Sequence, residues 1–335
     1  MFVKNIDVVG FRGIRGLARP LELSEFTVLV GRNNVGKTAI LEALYLLTAP
    51  YLTISPPPYG SSPYSFISRI HGSSASLVYG YYGEAVIYYK LAVGARLHDR
   101  IVKSVEIRLT TEGVKGVALG GSDVGYERYR EFVEALGAGF EQRLPALFIP
   151  NDSRAYDMLL GFAMKDPVLR WAEKEGYNTR VVAELVSKVV YDKFTEVLLR
   201  GNELSVRKEG PKGPMYIGLR SLGEGVKRII LIYYAVEYLN PKLILWDDVE
   251  VAAHPSLLEA ILEWLASSSR QVMISTHSID VLHILSIVRP KDCKVVVLRK
   301  TPDDVVEWRT LSLDEVEEML DKGVDLRKIV DELEL

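Results

Sequence analysis

Four short segments of this chain hold residues whose types and spacing could carry out phosphate chemistry. In chain order they are GRNNVGKT, SLGEG, LILWDD and ISTH, at Gly31–Thr38, Ser221–Gly225, Leu243–Asp248 and Ile274–His277. A glycine-rich loop cradles phosphates, paired carboxylates bind a divalent cation and accept a proton, and a histidine donates a hydrogen bond. Together the segments predict that ATP is bound between two copies of the chain and hydrolysed there.

The first segment matches the phosphate-binding loop (P-loop) pattern in full. Backbone N–H groups of such a loop wrap the phosphates, and the next helix points the positive end of its dipole at them. Lys37 is predicted to act in catalysis on the β- and γ-phosphates, and the Thr38 hydroxyl is predicted to bind Mg²⁺. The alternative is a glycine turn before a helix. The predicted ATP-binding residues here are Gly31, Arg32, Asn33, Asn34, Val35, Gly36, Lys37, Thr38 and Ala39.

An acidic pair follows the uncharged apolar run Leu243–Trp246. A buried strand of this kind delivers side chains to the carboxyl edge of a parallel sheet, where ligands bind in open α/β folds. Asp247 is predicted to hold Mg²⁺, and Asp248 is predicted to accept a proton from the attacking water. Taken alone, the pair is equally consistent with an acidic turn after a strand.

The serine–glycine segment precedes a long apolar run that begins near Val226. The Ser221 hydroxyl, the glycine N–H groups and the helix N-terminus predict a second phosphate site, which two head-to-tail copies would use on each other's nucleotide. The alternative is an N-capping serine with a flexible turn. His277 is predicted to sense the γ-phosphate, although a histidine at a strand end is also common as a structural residue. No zinc-type spacing accompanies it.

The elements that must position these residues alternate between strand and helix. Apolar strands are predicted before the P-loop, the acidic pair and His277, which favours an α/β fold with a mostly parallel core sheet. The stretch at about 76–120 predicts an antiparallel β-subdomain. From Asn151 to Gly201 the pattern is helical, and apolar residues at three- and four-residue spacing over Val182–Leu198 predict one amphipathic helix.

These elements predict a single two-lobed domain over residues 1–335. Lobe I takes about 1–150 and 226–335, and helical lobe II, which carries the serine–glycine segment, takes about 151–225. Further predictions are strands at Leu17–Leu23 and Leu77–Val93 and acidic helices within Leu313–Leu335.

Composition and charge limit the ligands, the cellular compartment and the membrane association to be expected of this chain. The net charge of −3 gives no global attraction to nucleic acid, so any DNA contact must come from a local patch. Cys293 is the only cysteine, which excludes an intrachain disulfide and fits a reducing cytosol. Charged residues interrupt the N-terminus, so it is not typical of a signal peptide, and no apolar stretch is long enough to span a membrane. We therefore expect a cytoplasmic protein with no membrane partner.

With these segments in place, the chain resembles the ABC-type ATPases of the RecF, SMC and OLD (overcoming lysogenization defect) group. Gly10–Ile14 (GFRGI) is similar to the FRG- or FRS-like segment before the P-loop strand of these proteins. OLD-like ATPases are the most similar, through GRNNVGKT, LFIPNDSR, SLGEGVKR, WDDVEVAAHP and STHS. The resemblance covers nearly the whole chain. It implies a P-loop NTPase fold of the ABC type, with ATP and Mg²⁺ as ligands.

The resemblance also implies roles across a dimer of two copies. Ser221 and Gly223 are expected to contact the γ-phosphate of the partner's ATP, and Glu224 is counted as a binding residue with them. Glu250–His254 are expected to form the D-loop at the dimer interface, and His277 to be the switch histidine.

The resemblance bears on two further positions. Arg12 is expected to approach the nucleotide. The glutamine that the family has in the loop joining the lobes has no clear counterpart here; Asn151 and Asp152 are the candidates, and the sequence does not assign the position to either.

The chain departs from the family pattern in two ways. The catalytic base of the family is normally glutamate, whereas Asp248 is one methylene shorter, which predicts slow hydrolysis. OLD proteins typically continue into a Toprim nuclease domain with clustered acidic metal ligands. Here two strands and two acidic helices are predicted after His277, so nuclease activity of this chain is not expected.

The leading hypothesis is an ATP-dependent homodimerising switch in DNA maintenance or defence, which hydrolysis resets. It would act on DNA or on a separate nuclease or other effector protein. The first alternative is an ATP-binding regulatory module with vestigial hydrolysis that controls a separate effector. A small-molecule P-loop kinase would leave SLGEG and STH unexplained, and a transporter ATPase would leave the FRG segment unexplained.

Contact with DNA would require a local cationic surface. Two sets of cations are candidates, namely Arg96, Arg100, Lys103 and Arg108, and separately Lys208, Lys212, Lys227 and Arg228. The alternative for each set is an ordinary solvated face.

Overall fold

The computed structural model describes residues 2–93, 101–188 and 190–326, and its strands form one large sheet and one small sheet. The strands are β1 (Phe2–Phe11), β2 (Ile14–Leu17), β3 (Leu21–Glu22), β4 (Phe26–Gly31), β5 (Ala85–Val93), β6 (Ile101–Thr110), β7 (Gly113–Leu119), β8 (Ser122–Asp123), β9 (Ala146–Ile149), β10 (Phe194–Arg200), β11 (Glu203–Gly210), β12 (Gly213–Gly218), β13 (Leu243–Trp246), β14 (Gln271–Thr276), β15 (Cys293–Lys300) and β16 (Val305–Ser312). The helices are α1 (Lys37–Tyr45), α2 (Pro63–Ile70), α3 (Tyr126–Ala135), α4 (Ser153–Ala163), α5 (Asp166–Glu175), α6 (Tyr177–Glu184), α7 (Glu224–Leu239), α8 (Pro255–Ser267), α9 (Ile279–Val288) and α10 (Leu313–Asp321).

Five parallel strands form the centre of the large sheet, in the order β9, β13, β14, β4, β15. β4 and β13 are buried along their whole length, as expected for parallel strands covered on both faces. In register, Val28 of β4 pairs with Ile274 of β14 and Val295 of β15. Because all five strands run the same way, the segments after β4, β13 and β14 leave the sheet at one edge. The predicted α/β fold with a mostly parallel core sheet is confirmed.

Antiparallel strands extend the large sheet on one side. β16 is antiparallel to β15 and parallel to β2, while β1 is antiparallel to both β2 and β5. β5, β6, β7 and β8 follow as antiparallel neighbours. The antiparallel strands predicted at about 76–120 are therefore present. They continue the core sheet through β1 rather than standing apart from it.

Two predicted strands in this region need correction. The strand predicted over Leu77–Val93 begins only at Ala85, because residues 75–77 and 79–81 form 3-10 turns. The strand predicted over Leu17–Leu23 is broken between β2 and β3. Pro20 lies in the break, and proline has no N–H group to donate to a neighbouring strand.

The long amphipathic helix predicted over Val182–Leu198 is wrong. Helix α6 ends at Glu184, and Phe194–Arg200 is a strand that pairs with β11 in a three-stranded antiparallel sheet with β12. Val197 pairs with Val206, and both side chains are buried. A short run of Val and Leu fits helical and strand periods alike, so partners distant in sequence decide its conformation.

The structure differs from the predictions in two further places, the predicted helical lobe and the end of the chain. The part predicted as a helical lobe contains helices α4, α5 and α6 together with this small sheet. At the end of the chain α10 stops at Asp321, and the rest of the predicted acidic helices, from residue 327 on, lies outside the described residues.

Tyrosines from two other elements form hydrogen bonds to helix α1, which follows the P-loop, and to the 3-10 turn directly after that helix. The Tyr89 hydroxyl of β5 donates a hydrogen bond to the Ala43 carbonyl at 2.5 Å, and the Tyr129 hydroxyl of α3 donates to the Leu47 carbonyl at 2.5 Å. Carbonyls at the end of a helix have no partner within the helix, so both bonds satisfy groups that would otherwise be buried unpaired. The antiparallel strands and α3 thus hold the helix that begins at the P-loop lysine.

Candidate functional site

The loop between β4 and α1 has the backbone geometry of a phosphate cradle. Gly31, Asn34 and Gly36 have positive φ angles of 157°, 62° and 111°. A Cβ atom at Gly31 would lie 2.8 Å from the Leu298 carbonyl oxygen, so only glycine fits there. Arg32, Asn33 and Asn34 are exposed, whereas Val35, Lys37 and Ala39 are buried.

Lys37 lies at the first position of α1 with its side chain folded under the loop. Its ammonium group donates hydrogen bonds to the carbonyls of Gly31 and Arg32, at 2.9 and 3.0 Å. Burial lowers the pKa of the Lys37 ammonium, and the nearby charges of Asp248, Asp247 and Glu250 oppose that shift. The Lys37 ammonium is therefore close enough to these three carboxylates to interact with their charges.

Thr38 and Asp247 come together as predicted for a metal-binding pair. The Thr38 hydroxyl lies 2.9 and 3.1 Å from the two carboxylate oxygens of Asp247. Burial raises the pKa of Asp247 to about 6; hydrogen bonds from Ser275 and Thr38 oppose this shift, and the charge of Asp248 adds to it. A hydroxyl and one carboxylate that converge in this way suit Mg²⁺, which is usually held by one or two protein oxygens together with phosphates and water.

Ser275 contacts both residues of the acidic pair, and the sequence analysis did not single it out. Its side chain is completely buried at the end of β14. The hydroxyl donates to Asp247 Oδ1 at 2.6 Å and accepts the N–H of Asp248 at 2.8 Å. The signal that could have found it is its place two residues before His277, on a strand adjacent to the acidic pair.

Asp248 and His277 are neighbours at the same edge. Asp248 has a φ angle of +50°, which turns the chain sharply after β13. His277 Nε2 lies 3.4 Å from Asp248 Oδ1, and the Asn151 amide donates to Asp248 Oδ2 at 3.3 Å. Asp152 instead caps helix α4 and pairs with Arg154. Of the two residues left open for the lobe-joining position, Asn151 is therefore the one that contacts the acidic pair.

Glu250 contributes a third carboxylate to the site. Its Oε1 accepts the backbone N–H of His277 at 2.6 Å, which ties the segment after β13 to the end of β14. Its second oxygen, Oε2, is buried and has no hydrogen-bond partner among the described residues. The sequence analysis placed Glu250 in a loop at a dimer interface, whereas this contact lies within the chain.

Arg12 belongs to a charged cluster beside the P-loop. Its guanidinium pairs with Glu42 of α1 and lies 3.2 Å from His71 Nδ1, while His71 Nε2 lies 2.7 Å from the second Glu42 oxygen. Glu42 is 1% exposed, so the Arg12 guanidinium and the His71 ring supply the partners that this buried carboxylate needs. A cavity of about 430 Å³ adjoins the cluster, and its lining includes Arg12, Gly13, Ile14, Asn34, Gly36, Thr38, Ala39, His71 and Lys300.

The serine–glycine segment is placed differently from the other predicted residues. Ser221, Gly223 and Glu224 are exposed at the start of α7, and none of them is in the lining of that cavity. Glu224 forms ion pairs with Lys227 and Arg228, at 2.5 and 2.9 Å, which lower its pKa. The structure therefore does not bring these residues to the cavity beside the chain's own P-loop.

Most of the described cations proposed for DNA contact have acidic partners. Lys208 pairs with Asp192, and both Lys227 and Arg228 pair with Glu224. Arg108 pairs with Asp123 and Glu106, while Arg96 and Arg100 lie outside the described residues. These pairs reduce the local positive charge that either set could offer.

Within residues 2–93, 101–188 and 190–326, no helix is both long and apolar enough to cross a membrane. The same residues contain no group of three or more His, Cys, Asp or Glu side chains that could hold a metal ion. Thr38 and Asp247 differ from such a group, because they comprise one hydroxyl and one carboxylate.

Two family models match separate stretches of the amino-acid sequence. Residues 1–69 match a model described as an AAA ATPase domain. Residues 131–283 match one described as an AAA domain, putative AbiEii toxin, Type IV TA system. The matched stretches include all four phosphate-chemistry segments. A comparison with curated proteins found no match.

Solved structures of SMC head domains have the same fold. An SMC head bound to the C-winged helix domain of ScpA has a TM-score of 0.66 at 13% identity, over 94% of this chain and 99% of that one. The Pyrococcus furiosus head domain with an extended coiled coil, bound to the C-terminal domain of ScpA, has a TM-score of 0.62 at 13% identity, over 96% and 99%. The Thermotoga maritima head domain has a TM-score of 0.56 at 16% identity, over 93% and 100%.

Fold and sequence together define the class of protein. The chain has the mixed α/β fold of SMC-head P-loop ATPases, with AAA-type ATPase sequence over both matched stretches. The class implies nucleotide binding and points to ATPase activity.

Proposed function

We propose that this chain binds ATP with Mg²⁺, dimerises head to tail around it, and hydrolyses it slowly to reset the dimer. The observation that carries the proposal is the separation of two sets of residues. Lys37, Thr38, Asp247 and Asp248 converge at one sheet edge, whereas Ser221, Gly223 and Glu224 are exposed at the N-terminus of α7 and do not line the cavity beside the P-loop. An exposed helix N-terminus preceded by glycines is suited to an anion from a second copy.

Each residue at the sheet edge has a role in this reaction. Lys37 leaves the carbonyls of its own loop to neutralise the β- and γ-phosphates. Mg²⁺, held through Thr38 and Asp247, would supply further charge neutralisation. Asp248 orients the attacking water and accepts its proton, while the adjacent His277 donates a hydrogen bond to the γ-phosphate.

Sizing the protein with and without Mg·ATP tests this proposal. Light scattering should show a monomer without nucleotide and a dimer with it, most completely in Asp248→Asn, which slows hydrolysis. Lys37→Ala is the control that should stay monomeric, because it removes the charge that binds the β- and γ-phosphates. A monomer under every condition, with ATP demonstrably bound, would exclude the dimerising switch.

One observation favours a second candidate, a regulatory module with vestigial hydrolysis. Aspartate stands at position 248, where the resemblance leads us to expect glutamate. A shorter base could leave ATP binding intact and turnover absent. Phosphate release that stays at background in the dimer, with ATP still bound, would support the regulatory module over the switch.

We further propose that the switch is of the OLD-like type and acts on a separate effector protein in DNA maintenance or defence. The order of its segments supports the OLD-like type. The match to a model described as an AAA domain, putative AbiEii toxin, Type IV TA system supports action together with a second protein. Direct contact with DNA is the less favoured output, because most of the described candidate cations are ion-paired. Salt-sensitive duplex binding that Lys212→Glu abolishes would reverse that preference.

A further inference from the structure

A second cavity lies next to the one beside the P-loop. It has a volume of about 390 Å³ and shares Arg12, Gly13 and His71 with the first. Its remaining lining is the turn after α2, namely Ser76, Val78, Tyr79, Gly80 and Tyr81. Because three residues line both cavities, a ligand that starts on the P-loop can continue past Arg12 into the second.

The turn that closes the second cavity is fixed to the strands around the P-loop. The Arg12 N–H donates to the Leu77 carbonyl at 3.0 Å, and Phe11 forms a β-bridge with Val78. The Tyr79 hydroxyl donates to Asp304 Oδ2 at 2.8 Å. The turn therefore keeps its position relative to the P-loop, as a wall of a binding site must.

Tyr81 projects from this turn in an unusual conformation. Gly80 and Tyr81 have φ angles of +67° and +66°, and the tyrosine is 70% exposed. A bulky residue with positive φ is strained, and such residues concentrate at ligand and active sites. Its N–H donates to the Val78 carbonyl at 3.0 Å, which fixes the backbone of the turn, while its ring lies outside the core and is open to a ligand.

We propose that Tyr81 is the stacking platform for the base of the nucleoside triphosphate. The inference rests on the proposed function, since the triphosphate must first occupy the P-loop. With the phosphates on the loop, the sugar lies beside Arg12 and His71 in the shared part of the two cavities, and the base reaches Tyr81. Base–aromatic stacking needs only the face of a ring. The other hydroxyls in the cavity already donate elsewhere, Ser76 to Ser73 and Tyr79 to Asp304.

A comparison of ATP with inorganic tripolyphosphate separates the base from the phosphates. Dissociation constants for both are measured by calorimetry with Mg²⁺, in an Asp248→Asn background that slows hydrolysis. Tyr81→Ala should weaken ATP binding about tenfold, in line with the usual worth of one stacked base, and leave tripolyphosphate binding within about twofold. Tyr81→Phe keeps the ring and should bind ATP as the parent does.

Tyr82→Ala is the matched control. Tyr82 is 79% exposed and adjacent in the chain, but it does not line the cavity, so neither ligand should be affected. Tyr81→Ala that binds ATP as tightly as the parent, or that loses ATP and tripolyphosphate equally, would overturn the stacking role. If the parent protein binds neither ligand, the proposed function fails as well, and the two failures are thus distinguishable.

Discussion

At the scale of single residues, one hydroxyl organises the acidic pair. Ser275 donates to the Asp247 carboxylate and accepts the backbone N–H of Asp248, so the Asp247 carboxylate is fixed relative to the Asp248 backbone before any ligand arrives. Such preorganisation reduces the rearrangement needed when charge develops in the reaction. The Asp248 carboxylate is held less firmly, because its contacts are long, at 3.3 Å to Asn151 and 3.4 Å to His277.

Asp248→Glu is expected to raise turnover. The extra methylene brings the carboxylate closer to the attacking water, and general bases contribute strongly to such reactions, so we expect kcat to rise about tenfold. Phosphate release at saturating Mg·ATP measures it, with KM recorded separately. Asp248→Asn should reduce kcat to background, and an Asp248→Glu variant no faster than the parent would contradict the short-base explanation.

Asp247→Asn is expected to stabilise the nucleotide-free protein at neutral pH. The pKa of Asp247 is raised from 3.8 to about 6, so the folded state prefers the protonated form. Stability therefore falls as pH rises from about 4 to about 6, by an amount on the order of 3 kcal/mol, and stays reduced above that. The asparagine cannot ionise, so its advantage should be largest at pH 7.5 and shrink towards pH 4.

Urea unfolding at several pH values measures this effect. Asp157→Asn, an exposed aspartate on α4, is the control and should change the free energy of unfolding little at any pH. An advantage of Asp247→Asn that does not depend on pH would show that the buried charge is not its cause.

At the scale of elements, buried tyrosines pack on and form hydrogen bonds to the P-loop helix α1 and the turn after it. Tyr45 on α1 packs against the rings of Phe66 and Phe148, with centroids 6.1 and 5.8 Å away. Its hydroxyl is buried without a hydrogen-bond partner among the described residues. The Tyr129 hydroxyl, equally buried, bonds to the Leu47 carbonyl. A change to phenylalanine removes one buried hydroxyl at either position. The hydroxyl of Tyr45 is unpaired among the described residues, whereas that of Tyr129 is hydrogen-bonded.

Removing each hydroxyl should therefore have effects of opposite sign. Tyr45→Phe is expected to raise the free energy of unfolding by about 1 kcal/mol, because an unsatisfied buried group is removed. Tyr129→Phe is expected to lower it by about 1 kcal/mol, because a buried carbonyl loses its donor. Chemical denaturation compares them, and destabilisation by both changes would indicate that Tyr45 has a partner in solution.

At the scale of the whole molecule, one continuous sheet joins the P-loop strand to the antiparallel extension, and the SLGEG segment leads into helix α7. The two glycines of the SLGEG segment have different surroundings. A Cβ at Gly225 would lie 2.2 Å from the Ala252 carbonyl oxygen, whereas a Cβ at Gly223 would meet no atom within 4 Å. Gly225 is therefore required for packing inside the chain, and Gly223 faces open space.

Alanine at these two glycines should separate folding from assembly. Gly225→Ala is expected to cost about 1–3 kcal/mol of stability through the clash with Ala252. Gly223→Ala should fold like the parent but weaken Mg·ATP-dependent dimerisation about tenfold or more, since its methyl group occupies the face offered to a partner's phosphate. Thermal unfolding and light scattering give the two readouts, and normal dimerisation of Gly223→Ala would argue against this segment as the second phosphate site.

The sequence by itself determined those features of the site that depend only on residues adjacent in the chain. The P-loop, the acidic pair and the strands before them are local patterns, since a glycine turn, an apolar run and a helix start each follow from adjacent residues. These patterns were enough to predict the mostly parallel core sheet and the meeting of Thr38 with Asp247 at its edge.

Only the tertiary structure decided what depends on residues far apart in sequence. Strand β10 exists because β11 pairs with it, although its residues alone fit a helix equally well. Glu42 acquires its partners, and Tyr81 its place in the cavity that shares Arg12 and His71 with the one beside the P-loop, because the fold brings the end of β1, α1 and the turn after α2 together. Side-chain type and spacing encode local geometry, whereas these contacts arise from packing that no short segment contains.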